Sequence, residues 1–135
     1  MAIELDHLGI AVRSLAEGLQ FYEQTLGMDV THRETVDAEK VEVVMLPAGA
    51  NPGAPRLELL EPLGADSTVA KFIEKHGPGL HHIALRVDNL TTALDRLRAA
   101  GGRILNEPRI GAGGHLYSFV HPASSGGVLV ELIQK

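Results

Sequence analysis

The chain has 135 residues, of which 44% are hydrophobic and 21% charged, proportions of one globular domain, or two small modules sharing a core, and not of a disordered chain. A net charge of -5, with Lys and Arg only scattered, leaves no electrostatic footprint for nucleic acid or an anionic membrane. Cysteine is absent, which removes disulfides, thiolate nucleophiles and Cys-based zinc sites together, so any metal has to be held by His, Asp or Glu.

The opening "MAIELDHLGIAV" runs almost directly into a strand pattern, without a basic leader or an apolar signal core. No apolar run approaches the roughly 20 residues that span a bilayer, and the expectation is a cytoplasmic protein. "AEGLQFYEQTLG" follows, with Leu19, Tyr22 and Leu26 at helical spacing and glycine at the stop. "KVEVVMLPA" and "RLELLEP" read as strands, bounded by Gly, Pro and Asn. Residues 66–78, "DSTVAKFIEKHGP", read as a linking helix between modules of about 1–64 and 79–135, with Asp66 or Ser67 as its cap. A strand, "LHHIALRVDNL", then leads into a helix, "TTALDRLRAAGG", and the chain ends in two β-rich runs, "LYSFVHP" and "GVLVELIQK".

The chain repeats itself. "DHLGIAVRSL" matches "HHIALRVDNL" with His7 under His82, and "RLELLEP" matches "VLVELIQ" with Glu58 under Glu131. Both matches occur in the same order at nearly the same separation, as two copies of one βαβββ unit with drifted loops would show. The fold class expected is therefore α+β, built from two tandem βαβββ modules.

Strand alternation separates the neighbouring histidines. Leu8, Ile10 and Val12 share one face of the first strand, and His7, Gly9 and Ala11 the other. In the second, Ile83, Leu85 and Val87 lie with His81, while His82 lies with Ala84 and Arg86. The aliphatic faces suit helices, and His7 and His82 occupy the face with small residues beside them. Arg86, on the His82 face, can meet a carboxylate or phosphate, or be solvated or ion-paired.

Glu58 and Glu131 sit in strands that are apolar on both sides, where a lone carboxylate costs several kcal/mol unless it is paired, protonated or metal-bound. If the two units pair about a pseudo-twofold axis, His7, Glu58, His82 and Glu131 reach one concave surface. Two imidazoles and two carboxylates suit an octahedral or five-coordinate divalent ion with positions left open. Glu42, which shares a face with Val44 and Leu46, is a candidate general base or an exposed edge-strand glutamate. His32, His76, His115 and His121 have no repeat partner and read as surface or loop residues. "GAGGH" lacks the Lys-Ser/Thr of a phosphate loop and reads as a mobile loop.

The doubled unit with its His-Glu-His-Glu set resembles the vicinal oxygen chelate superfamily. "DHLGIAV", "LELLEPLGADSTVAKFIEKHGPGLHHIALRVDN" and "HPASSGGVLVEL" resemble its methylmalonyl-CoA epimerase family over nearly the whole chain, the linker in the long stretch being the most specific part. The resemblance implies a curved mixed sheet around a metal cleft, in a single domain. It implies a divalent ion on His7, Glu58, His82 and Glu131, cobalt first, with Mn2+, Ni2+, Zn2+ and Mg2+ as alternatives. It makes Glu42 and Glu131 the acid/base pair that epimerises a CoA thioester through a metal-stabilised enolate, in a homodimer. Family members also carry glutamine at the second ligand position, so Glu58 makes this site one charge less positive. The alternatives are a glyoxalase-like lyase or isomerase, and a metal-free drug-sequestering module.

Overall fold

The structure, a computed structural model, describes residues 2–135. Its elements run β1 (Glu4–Ala11), α1 (Leu15–Leu19), β2 (His32–Val36), β3 (Val41–Pro47), β4 (Arg56–Pro62), α2 (Thr68–His76), β5 (Gly79–Val87), α3 (Leu90–Ala99), β6 (Arg109–Ile110), β7 (Leu116–Val120) and β8 (Val130–Gln134). Removing α2 leaves the order βαβββ twice, so the fold is α+β with two modules of the expected pattern. Two strands were missing from the sequence reading. β6 has only two residues, and β2, "HRETV", is a polar edge strand with one buried residue, Val36. By their contacts the residues form two compact units, 7–81 and 2–6 with 82–135.

In the first unit β2 and β4 pair antiparallel with β3, and β1 lies parallel to β4. Ser14 Oγ accepts the Glu17 N–H at 3.1 Å and starts α1, which continues into a wider turn over Gln20–Thr25. Gly27, with φ +77°, ends it. The aliphatic face of β1 does take the helix: Val12, Leu15, Val44, Leu46 and Leu59 form one core, with Ile10, Leu19 and Tyr22 against it. Burying Leu46 and Leu59 completely stabilises the unit by about 1.5–3 kcal/mol each. α1 approaches closely because Gly18 faces the sheet, where a Cβ would stand 3.0 Å from both Leu59 Cδ1 and Val12 Cγ1. α2 belongs to this unit too; of its two candidate caps it is Ser67 whose Oγ accepts the Val69 N–H.

In the second unit β5 lies parallel to β8, and β7 pairs antiparallel with β8 and β6. Asn89 caps α3 through the Thr92 N–H at 2.9 Å. Val87, Leu90 and Leu94 form the core under that helix, and Ala84, Tyr117 and Ile133 a second cluster on the opposite face. The N-terminal residues are tied in by charge. Lys135 Nζ stands 2.8 Å from buried Asp6, and Arg86 donates to Glu4 at 2.8 Å, so Arg86 is ion-paired. No helix among the described residues is long and apolar enough to cross a membrane.

Candidate metal centre

Each module buries one histidine and one glutamate against each other. In the first, His7 Nε2 lies 3.4 Å from Glu58 Oε1; in the second, His82 Nε2 lies 3.1 Å from Glu131 Oε1. Relative exposures of 2% and 4%, then 5% and 8%, put all four groups out of bulk water.

The register explains the pairing. Gly9 is the β1 partner of Glu58 and Ala84 the β5 partner of Glu131, each two residues after its histidine. A small residue beside the carboxylate lets it lean along the strand toward the imidazole on the same face. In the second module the His82 ring also meets Phe119 edge to face, centroids 5.4 Å apart.

These donors fit a divalent ion. A buried carboxylate without a partner would cost several kcal/mol, and here each points an oxygen at an imidazole nitrogen of its own module. His7 with Glu58, and His82 with Glu131, are each a buried imidazole and carboxylate, donor types that bind metal ions. Mixed imidazole and carboxylate ligands accept cobalt, manganese, nickel or zinc more readily than a thiolate-preferring ion.

On β3, pairing sets Met45 opposite Glu58 and Glu42 opposite Glu61. The Glu42 carboxylate accepts from Arg33 Nε at 3.0 Å. Val44 and Leu46, its neighbours along β3, pack in the core with Leu15 of α1.

The sequence reading passed over β2. His32 pairs with Met45 and Glu34 with Val43, so both lie on the Glu58 face, and His32 is a strand residue with a side-chain partner, Glu34, 2.5 Å away. A polar edge strand with His and Glu two apart was the available signal. The other histidines lie elsewhere. His81, on the aliphatic side of β5, packs edge to face on Phe72 at 4.9 Å. His76 stacks on Phe72 at the end of α2, and His121 Nδ1 accepts the Ala123 N–H. In "GAGGH" Gly113 and Gly114 take positive φ, and His115 folds back against Gly113.

The profile of the glyoxalase/bleomycin resistance protein/dioxygenase superfamily matches residues 6–119, and the chain belongs to that superfamily. Within it the chain is similar to methylmalonyl-CoA epimerases. The chain is 40% identical over 133 residues to the ethylmalonyl-CoA/methylmalonyl-CoA epimerase of Cereibacter sphaeroides, covering 96% of each. It superposes on a solved methylmalonyl-CoA epimerase in complex with methylmalonyl-CoA and NH4+ with a TM-score of 0.94, 37% identity and coverage of 100% of this chain and 96% of that one. It is also 44% identical over 131 residues to YqjC of Bacillus subtilis (strain 168), an uncharacterized protein, covering 96% of this chain and 91% of YqjC. The fold is that of the vicinal oxygen chelate proteins.

Proposed function

We propose that this chain is a metal-dependent epimerase that interconverts (2R)- and (2S)-methylmalonyl-CoA, with His7, Glu58, His82 and Glu131 as ligands of one divalent ion, cobalt first. The observation that carries the reading is the repeated burial of a His–Glu pair at one register position in both modules. Similarity over the whole chain to epimerases of this substrate supports it.

The reaction removes a proton from the carbon between thioester and carboxylate and returns one on the opposite face. A bound divalent ion supplies Lewis acidity toward the thioester and carboxylate oxygens, about several kcal/mol of barrier. The chain's own contribution is to fix both imidazoles on strands, seat the carboxylates in water-poor surroundings, and carry the protons. Glu42 and Glu131, as the resemblance implies, are the acid/base pair, Glu131 being a ligand as well; a positioned acid or base contributes on the order of 10²- to 10⁴-fold. The working form is inferred to be a cytoplasmic homodimer, and light scattering of the purified chain tests the dimer.

The test combines chemistry with composition. Purified chain is expected to carry about one divalent ion per chain by elemental analysis and to exchange the α-proton of methylmalonyl-CoA in D2O. Turnover of the hemithioacetal of methylglyoxal and glutathione, with none of methylmalonyl-CoA, would replace this reading with that of a glyoxalase.

A further inference from the structure

β7 carries two aromatic residues on one face. In its pairing with β8, Tyr117 stands opposite Ile133 and Phe119 opposite Glu131, and the two rings meet edge to face, centroids 5.7 Å apart. Residues directly opposite on an antiparallel pair share a face, with Cβ atoms about 4.5–5.5 Å apart, so Phe119 lies beside Glu131. Its ring also stands edge to face with the His82 imidazole, centroids 5.4 Å apart and planes at 90°. One ring thus borders both members of the buried His–Glu pair of this unit.

That ring is held from behind. The Phe119 N–H donates to Asn106 Oδ1 at 2.8 Å, and the Phe119 carbonyl accepts the Leu105 N–H at 2.8 Å. Asn106 is buried in its turn: its Nδ2 donates to the Glu107 carbonyl at 2.9 Å, and its own carbonyl accepts from the buried Ser118 hydroxyl. β6 pairs with β7 only at Leu116 and Tyr117, so the Asn106 side chain supplies the edge partner that β6 is too short to give Phe119. Tyr117 and Ala84, at 2% and 0% exposure, fill the space beside the ring. In the first module the residue opposite the glutamate is Met45, a flexible thioether where the second module has a fixed plane.

A histidine anchored on a strand still turns about its side-chain bonds, and a ligand imidazole binds best when its neighbours lock the ring. We propose that Phe119 is a positioning residue, a brace anchored by Asn106 that holds the His82 imidazole with Nε2 toward Glu131 and so sets both the affinity for the divalent ion and the turnover that depends on Glu131. This rests on the reading of His82 and Glu131 as ligands given above. The feature that matters is the aromatic plane, because an aliphatic side chain of similar bulk fills the same space without fixing the angle of its neighbour.

The experiment takes the full chain stripped of metal by chelation and titrates wild type, Phe119→Leu and Phe119→Tyr with Co2+ by calorimetry. The melting temperatures of the stripped chains, and kcat and KM of the reloaded ones for methylmalonyl-CoA, are measured alongside. Phe119→Leu is expected to lose about 10- to 100-fold in Co2+ affinity and to lower kcat more than it raises KM, while Phe119→Tyr, which keeps the plane, stays within about threefold of wild type in both. Should the leucine variant not fold, Phe119→Met, with the side chain of the first module, is expected to show the same loss. Affinity and kcat within about threefold of wild type in the leucine or methionine variant, with only the melting temperature lowered, overturn the role; so does a tyrosine variant as weak as the leucine one. A wild-type chain that binds no Co2+ overturns the metal-centre reading and this role together. A wild-type chain that leaves methylmalonyl-CoA untouched, while the leucine variant still loses Co2+ affinity, overturns the epimerase reading and upholds the brace.

Discussion

Glu42 and Glu61 stand directly opposite each other on β3 and β4, two acidic residues across a strand pair, and each accepts a hydrogen bond from a different neighbour. Arg33 serves Glu42, and the first amide of α1 serves Glu61. Like charges placed this way are destabilising unless so partnered. The Arg33–Glu42 pair is partly exposed and screened, where ion pairs are worth about 0–1 kcal/mol.

Glu42→Gln is expected to lose about 10²-fold or more in epimerisation while the ion stays bound and the melting curve stays nearly in place. A coupled assay and a thermal melt decide it. Epimerisation within about threefold of wild type would remove Glu42 from the reaction.

The neighbouring histidines should separate cleanly. His82→Ala removes a buried imidazole paired with Glu131 and is expected to abolish metal binding by elemental analysis. His81→Ala removes a ring contact with Phe72, worth about 0.5–1.5 kcal/mol, and is expected to keep the ion. Chelation should lower the melting temperature of wild type and of His81→Ala but not of His82→Ala, because a ligand bound only by the folded state stabilises by mass action.

Gly18 sets two effects against each other. Alanine in its place would gain about 0.5–1 kcal/mol of helix propensity, yet its Cβ would stand 3.0 Å from Leu59 and Val12 in a filled core. Overpacking of this kind costs about 1–3 kcal/mol, so a net loss of stability is expected in denaturant unfolding.

The start of α2 carries a cap and an exposed pair. Ser67→Ala is expected to cost about 1 kcal/mol, since the buried hydroxyl accepts the Val69 amide. The hydrogen bond and charge of Lys40 hold the Asp66 carboxyl below the usual carboxylate range. A depressed value means that the contribution is present at neutral pH and lost as acid titrates through it. Any advantage of wild type over Asp66→Asn should therefore be seen at pH 7, shrink with added salt, and vanish in strong acid; a difference that grew on acidification would contradict the pairing.

The sequence alone settled the doubled module, because side-chain alternation and the repeat are local and linear: His7 over His82, Glu58 over Glu131, aliphatics on one face of β1 and small residues on the other. It also separated His81 from His82, since neighbours on a strand must point apart. It could not say which side of β3 was which. A strand buried on both sides has no face that its own composition marks, and one residue of register exchanges them. Only pairing with β4 set Met45 opposite Glu58 and Glu42 opposite Glu61, while β2, too polar and short to announce itself, brings Glu34 and His32 to the face of Glu58.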